Sequence, residues 1–558
     1  MRPRTKTKRK LYYNGKPVEA NLVDRVVGYF DPARGVERLE ARRRFDATSA
    51  WKSTSSSRRG CRTWDPSYGS AKIDVNDDLP ELRAQSRDLC RNNPIASGAV
   101  STKVDNVVST GLLPRAKIDR KHLGLSRSRA DKLAREFERA WAMHADRLSF
   151  AVTGDQSHVD LAETAYRSAL ESGDVLLLRR NLPEDKRRPY STAWQVIESD
   201  RLSNPQGAQD GALAPRPEGN KRKVYGGVEL DFFGAPVAYW IADEHPGDVM
   251  TSNKWRRVPA RDRDGNPIVL HYFRRLRPGQ VRGLPDLAPV IEAIHKLGKY
   301  SDAEVDAAVT GSYLSLAVVT QDGEGLSTSN PSFEADEAVA EDDEIVLGPN
   351  EVFDLRPGED VRQIKAEHPN TAYEPFVRAF FQQIGSALGL PLEVLLKHFQ
   401  SSYSAARGAL LEAWAYFMRE RARFARHVYS PWYEATISEA VARGYVEAPG
   451  FFSDPLARIA YLGVEWSGTA MPQLDPVKAI KAARERIDGN LSTHEREEAA
   501  LFGTRWDDTI DRLGEERKAL EKVNPAPAPV VPPEAPKGEE EEAPAAPGPE
   551  QKDEEVEQ

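Results

Sequence analysis

In the first strongly patterned stretch, DDLPELRAQSRDLCRNNP, Leu82 and Leu89 share one face while Arg83, Arg87 and Arg91 recur at i, i+4 and i+8. That period predicts a helix, and Asn92-Asn93-Pro94 stops it. Helices are likewise predicted near residues 126–144 and from Leu161 to Glu171, followed by two strands, GDVLLLRRN and AWQVIESD. GGVELDFFGAPVAYWI alternates around Phe233-Gly234 in the manner of a hairpin. The preceding NPQGAQDGALAPRPEGNKRK reads as an exposed insertion ending in bases.

Beyond residue 288 the apolar period is mostly helical. Val290, Ile294, Leu297, Val305 and Ala308 mark one stripe over residues 289–310. Thr371-Ala-Tyr-Glu374 forms a capping-box signature ahead of Phe376, Phe380, Ile384 and Leu388, and Gly389-Leu390-Pro391 ends that helix. One long helix is predicted from Ser402 to Val441, with Leu410, Trp414, Phe417, Phe424 and Val428 as its stripe. Asp475-Pro476 opens a further helix, Gly489 closes it, and Ser492-Thr-His-Glu495 caps the next. The alternation of strands and helices, then helices alone, predicts an α+β, helix-rich fold.

The chain has 558 residues, too many for one core; at about 150 residues per domain three or four units are expected. Neither a membrane span nor a secretory signal is expected from its apolar runs. Cys61 and Cys90 read as reduced structural thiols. Residues 1–70, with six bases in the first ten, lack periodic apolar surface and are expected to be a mobile basic arm. The net charge of −8 sits entirely in residues 524–558, where ten acids face two lysines in a Pro/Ala/Glu tail expected to be disordered.

The chemistry expected of most enzymes has no signature here. No phosphate loop, nucleophile elbow, H-E-x-x-H pair or Cys/His ligand spacing appears, so no catalytic residue, metal or cofactor is assigned. The run EADEAVAEDDEIVLGPNE could hold a divalent cation but lacks the spacing and glycine of a calcium loop, and a solvated acidic face is the favoured reading. HYFRRLRPGQVRGLPDLAPVI first suggests a phosphate cradle. Its arginines precede a helix N-terminus, however, where helix polarity favours anions.

Seven blocks, in order, resemble portal proteins of lambda-type tailed bacteriophages. They are LRAQSRDLCRNNPIASGAV…NVVSTGLLP, QVIESDRLSNP, GGVELDFFGAPVAYWIADEHPGD, HYFRRLRPGQVRGLPDLAPVIEAIHKLGKYSDAEVDAAV, IGSALGLPLEVL, SYSAARGALLE and DPVKAIKAARERIDGNLST. The similarity spans about residues 70–510. Ser109 stands where the family often has glycine.

The resemblance implies a homo-oligomeric ring, commonly a dodecamer, at one capsid vertex, with double-stranded DNA passing through it during packaging and ejection. It implies a wing from 71–288 and 404–474, stem helices at 289–312 and 371–390, a clip at 313–370, a channel loop at 391–403 and a helical crown at 475–522. Lys397, His398, Gln400, Ser401 and Ser402 would face DNA as sequence-blind phosphate contacts. Asp336, Glu337, Asp342, Asp343 and Glu344 would lie in the clip, facing a terminase large subunit or head-completion and adaptor proteins. Arg83, Arg87, Arg91, Arg274, Arg275, Arg277 and Arg282 would meet carboxylates of the next subunit. A major capsid or scaffold protein is a further implied partner, and the virion, with the host cytoplasm during assembly, the implied location. Two other readings stay open at this point: a metal-dependent DNA-processing enzyme using the acidic run, and a non-ring DNA-binding adaptor gripping through its basic arm.

Overall fold

The computed structural model describes residues 69–183, 188–213, 222–248, 254–312, 316–320, 359–363, 372–399, 402–471, 475–504 and 506–523, with short pieces between Tyr12 and Arg34. The chain divides into two units, Met1–Asp74 and Val75–Gln558. In the first, strand β1 (Tyr12–Tyr13) pairs antiparallel with β2 (Lys16–Pro17). Helix α1 spans Ala71–Asn76.

The second unit is helix-rich α+β. The Arg-striped helix is α2 (Leu79–Asn92), and α3 (Pro94–Val107) follows with Asn93 as its cap, its side chain accepting from the amides of Ile95 and Ala96. Strand β3 (Leu113–Ala116), α4 (Arg127–Ala145) and α5 (His158–Ser172) come next. Ser157 and Asp160 form a reciprocal capping box on α5. Ser109, at the family's glycine position, takes φ +52, and its hydroxyl lies 2.7 Å from that of Thr469. A left-handed turn is thus kept without glycine, beside a side-chain hydrogen bond.

The two sequence-predicted strands are β4 (Asp174–Asn181) and β5 (Thr192–Ile197). Strands β6 (Val224–Tyr225), β7 (Val228–Leu230), β8 (Pro236–Ala242) and β9 (Trp255–Pro259) make a four-stranded sheet in that order. β10 (Val269–Phe273) lies beside β4, giving the antiparallel order β10-β4-β5. Val175 and Leu177 enter the main core, while Leu176 and Leu178 pack with Val228, Leu230, Tyr239 and Ile241 in a second one. Burial on both faces explains why DVLLL runs apolar without alternating. The β7–β8 hairpin turns at Phe233-Gly234 as its pattern predicts. Its preceding insertion is less free than its composition suggests. Pro205 is buried, and the Asp210 carboxylate accepts from the Gly226 amide at 2.7 Å and from Asn204 Nδ2 at 2.7 Å.

Helix α6 (Ile291–Ser312), strands β11 (Leu316–Thr320) and β12 (Glu359–Gln363), helix α7 (Tyr373–Leu388) and short α8 (Leu392–Leu395) follow. The N-cap of α7 is Ala372, with no side-chain cap; the expected capping residue Thr371 lies outside the described residues. The long helix appears as α9 (Tyr403–Phe424), a π turn over Ala425–Tyr429, and α10 (Ser430–Ala442). Pro431 cannot donate an amide, and the wider turn lies immediately before it. This segment carries Tyr429, Trp432 and Tyr433 into an aromatic core with Trp141, Phe150 and Trp466.

Helix α11 (Pro455–Tyr461) and β13 (Val464–Ser467), paired with β3, close this body. Three helices are the last described elements: α12 (Pro476–Asp488), α13 (His494–Leu501) and α14 (Trp506–Val523). Asp475 caps α12 as predicted, whereas Thr493, one residue beyond Ser492, caps α13. Among the described residues no helix is long and apolar enough to cross a membrane.

Candidate functional site

The segment between α7 and α9 begins at a fixed turn. Gly389 takes φ +69, and a Cβ there would lie 2.9 Å from the Tyr416 ring, so only glycine fits. Pro391 then starts α8, and Leu390, Val394 and Leu395 are buried beneath it. The chain emerges at Lys397, which takes φ +53, and Lys397, His398 and Phe399 are exposed. The His398 amide donates to Glu393 O at 3.1 Å, and His398 lines an apolar cleft of about 170 Å³ with Tyr373, Val377, Phe381 and Leu396. Ser402 caps α9, its hydroxyl accepting from the Ala405 amide at 3.4 Å. Of the five residues expected to face DNA, Lys397 and His398 stand exposed together, Ser402 serves a helix end, and Gln400 and Ser401 lie outside the described residues. The loop offers one ammonium, one imidazole and a phenyl ring at a firmly held base, a set suited to brief, sequence-blind contact.

The arginines divide differently from expectation. Asp174, wholly buried at the start of β4, receives Arg282 Nε at 2.6 Å, Arg83 Nη2 at 2.8 Å, His271 Nε2 at 3.2 Å and the Gly283 amide at 3.2 Å. Both guanidiniums also donate to carbonyls: Arg83 to Ser172 at 2.8 Å, Arg282 to Leu202 at 2.6 Å, Gly226 at 2.8 Å and Ser199 at 2.8 Å. Burial alone would raise the Asp174 pKa; the Arg282 and Arg83 charges, with His271, hold it well below the usual carboxylate range. Burial in turn lowers Arg83 to about 10, against the pull of Asp174.

Arg87 pairs with Asp200 and with Glu198 at 3.2 Å. The expectation that Arg83, Arg87 and Arg282 reach a neighbouring subunit is therefore corrected. A buried guanidinium needs its donors satisfied at home, and in this chain they are. Arg91, Arg274, Arg275 and Arg277 are exposed, with Arg275 over the Phe273 ring at 5.6 Å.

Arg282 thus belongs to an internal joint. It ties the segment ahead of α6 to β4, Gly283 packs directly on Gly173, and Asp286 meets buried Lys103 at 2.5 Å. Sequence reasoning passed over Asp174. The available signal was an aspartate heading a strand too apolar to be exposed, which requires buried cations somewhere in the chain.

Glu198, Asp200 and His245 bring ligand atoms within 4.8 Å of one another, but the Arg87 guanidinium already bridges both carboxylates. The acids Asp336, Glu337, Asp342, Asp343 and Glu344 lie outside the described residues.

The model of the phage portal protein, lambda family, matches residues 57–421. The chain belongs to that family. Portal proteins of known phages align with it over most of its length. That of Escherichia phage N15 is 24% identical over 78% of this chain and 84% of its own. Portal protein B of Escherichia phage lambda is 24% identical over 78% of this chain and 83% of its own. Solved chains of gene transfer agent particles are also similar. One from the virion of the native particle has a TM-score of 0.43 at 13% identity, covering 77% of this chain and 98% of its own. One from the neck of the native particle has a TM-score of 0.37 at 15% identity, covering 76% and 93%. For a lambda-family portal protein, the buried Asp174 node is framework, and the exposed end of the α7–α9 loop is the candidate working surface.

Proposed function

We propose that this chain is the subunit of a portal ring, twelve copies around a central channel at one vertex of a virion shell. Double-stranded DNA is packaged and ejected through that channel. The observation that carries the reading is the lambda-family portal match over residues 57–421, extended by curated portal relatives across 78% of the chain.

In this reading residues 71–288 and 404–474 are the wing, α6 and α7 the stem, 313–370 the clip, 391–403 the channel loop and 475–522 the crown. The protein works as a conduit and docking platform and not as an enzyme. Its clip meets a terminase large subunit and later the head-completion proteins, its outer surface meets capsid or scaffold protein, and its subunits assemble in the host cytoplasm. Lys397 and His398 touch DNA phosphates in passing. A channel needs such contacts to be few, because each phosphate neutralised adds a salt-dependent attraction that acts as a brake. Exposed Arg91, Arg274, Arg275 and Arg277 are the arginines placed to meet a neighbour's carboxylates.

Negative-stain electron microscopy of the purified chain tests this. Ring particles with a central hole are expected; a stable monomer at high concentration under every salt condition contradicts the reading.

A further inference from the structure

The far end of β4 gathers bases that its surroundings leave short of anions. Leu176 and Leu178 turn toward Tyr239 and Ile241 of the four-stranded sheet, and Arg180, two positions further along β4, continues that face. On the opposing sheet Ile241 pairs with Arg256, and two positions on the Asp243 amide donates to the Lys254 carbonyl at 2.9 Å. Paired residues share a face, so Arg256 and Lys254 edge the same apolar layer as Arg180. Arg201, beside Leu202 of that layer, donates through Nε to the Ala242 carbonyl at 2.9 Å and through Nη2 to that of Asp243 at 2.7 Å.

Four cations thus border one corner. Among the described residues Asp243 is the one carboxylate bonded to any of them, accepting from Arg256 Nε at 2.6 Å. Glu198 and Asp200, next to Arg201 in the chain, are held by Arg87. Arg180 uses only its Nε, on Gln195 at 3.0 Å, and both its amino groups lack an acceptor among the described residues. Burial lowers the Arg180 pKa, Arg256 and Arg201 lower it further, and no carboxylate acts against them. Like charges held this close repel one another, and a forked donor without an acceptor fits a carboxylate or phosphate.

The chain carries a matching anion. Its whole net charge of −8 lies in residues 524–558, where residues 539–542 are four glutamates in a row. Glu539 stands 16 residues beyond Val523 at the end of α14, a reach of about 55 Å when extended. The path back from α14 is short. Leu513 and Trp141 line one groove, and ring contacts at 6.0, 5.2 and 6.0 Å lead from Trp141 through Phe150 and Trp432 to Trp194, which pairs with Arg179. Tethering also keeps the effective concentration of such a segment high, so a few weak ion pairs hold it.

We infer that the acidic run 539–542 docks on the Arg180, Arg201, Lys254 and Arg256 patch of its own chain and closes that patch to other polyanions. In a protein proposed to pass DNA, an open basic rim would add the salt-dependent attraction that acts as a brake.

Carbodiimide coupling in the full-length chain tests this, because Lys254 supplies an amine within the patch. An amide between Lys254 and the 539–542 run is expected by mass spectrometry of the monomer band. Arg180→Gln with Arg256→Gln should cut its yield about tenfold, the effect of two exposed ion pairs near the top of their usual range. Glu539→Gln, Glu540→Gln, Glu541→Gln and Glu542→Gln together leave the folded body untouched and should speed acetylation of Lys254 severalfold. Absence of the amide, a yield indifferent to the arginine pair, or acetylation unchanged by the tail variant overturns the pairing. Coupling confined to multimer bands gives the patch to another copy's tail, and coupling abolished by micromolar short duplex DNA makes it a nucleic-acid site; either result overturns it as well. None of these outcomes depends on whether the chain forms a ring.

Discussion

The body around β4 and the helices that leave it treat apolar residues in opposite ways. Around β4, side chains as large as Trp141, Trp194 and Trp432 are fully buried, and even the charged Asp174 finds all its partners within the chain. Along α6, α7, α12 and α14, stripes with the same period end in exposed Val305, Phe376, Val477 and Leu520. The contrast teaches that the chain completes the first region within itself and leaves apolar positions of the second exposed; on the proposed ring reading, other copies cover them. Isolated exposed hydrophobics are ordinary, but repeated stripes on successive helices mark contact surfaces.

The sharpest way to break the comparison is at Asp174. Asp174→Ala leaves Arg83 and Arg282 buried without their anion and should cost about 3–5 kcal/mol, read by urea unfolding. A loss under 1 kcal/mol would show that the node is hydrated and that the body is less self-contained than described. Next is acid sensitivity. Burial lowers His144 to about 4, so the folded state binds its proton less readily than the unfolded chain does. Its contribution is complete above the unfolded value near 6.5 and is lost as pH falls toward 4, a change of roughly 3 kcal/mol. His144→Gln should flatten the stability profile in that window, and an unchanged slope would assign the acid loss to another group.

Effects shrink on moving to the open region. Lys397→Gly should stabilise the folded chain by about 1 kcal/mol, because glycine takes φ +53 without strain. A loss of thermal stability would mean that the Lys397 side chain holds the loop. Ile480→Ser should change subunit unfolding by less than about 0.5 kcal/mol, as for other exposed positions, yet lower the yield of rings. Equal yield with lower subunit stability would place Ile480 in the chain's own core.

Much of this arrangement was legible beforehand, and the gaps have physical causes. Apolar pattern placed β4 as an unbroken run and β5, α4, α5 and the β7–β8 hairpin by their spacing, because each buries its apolar residues inside the chain. The same period could not tell Ile294, which is buried, from Val305, which is exposed, since a stripe records that a face is covered and not which copy covers it. The arginines failed for a related reason. Arg83 and Arg91 share a helix and a spacing, but Arg83 ends beside Asp174, 91 positions further along the chain, whereas Arg91 faces solvent. Local pattern cannot see a partner at that separation. In the segment between α7 and α9, Gly389 and Pro391 announced the turn, while the cap role of Ser402 was readable only from the helix that follows.

The central claim is that neighbouring copies cover the stripes this subunit leaves open. Hydrogen exchange followed by mass spectrometry on assembled rings and on dissociated subunits tests it most directly. The account predicts that assembly slows exchange in residues 291–312, 373–388, 476–491 and 506–523 and leaves β4, β5 and α10 as protected as before. Unchanged exchange in those four segments, or new protection confined to the strands around Asp174, would contradict it.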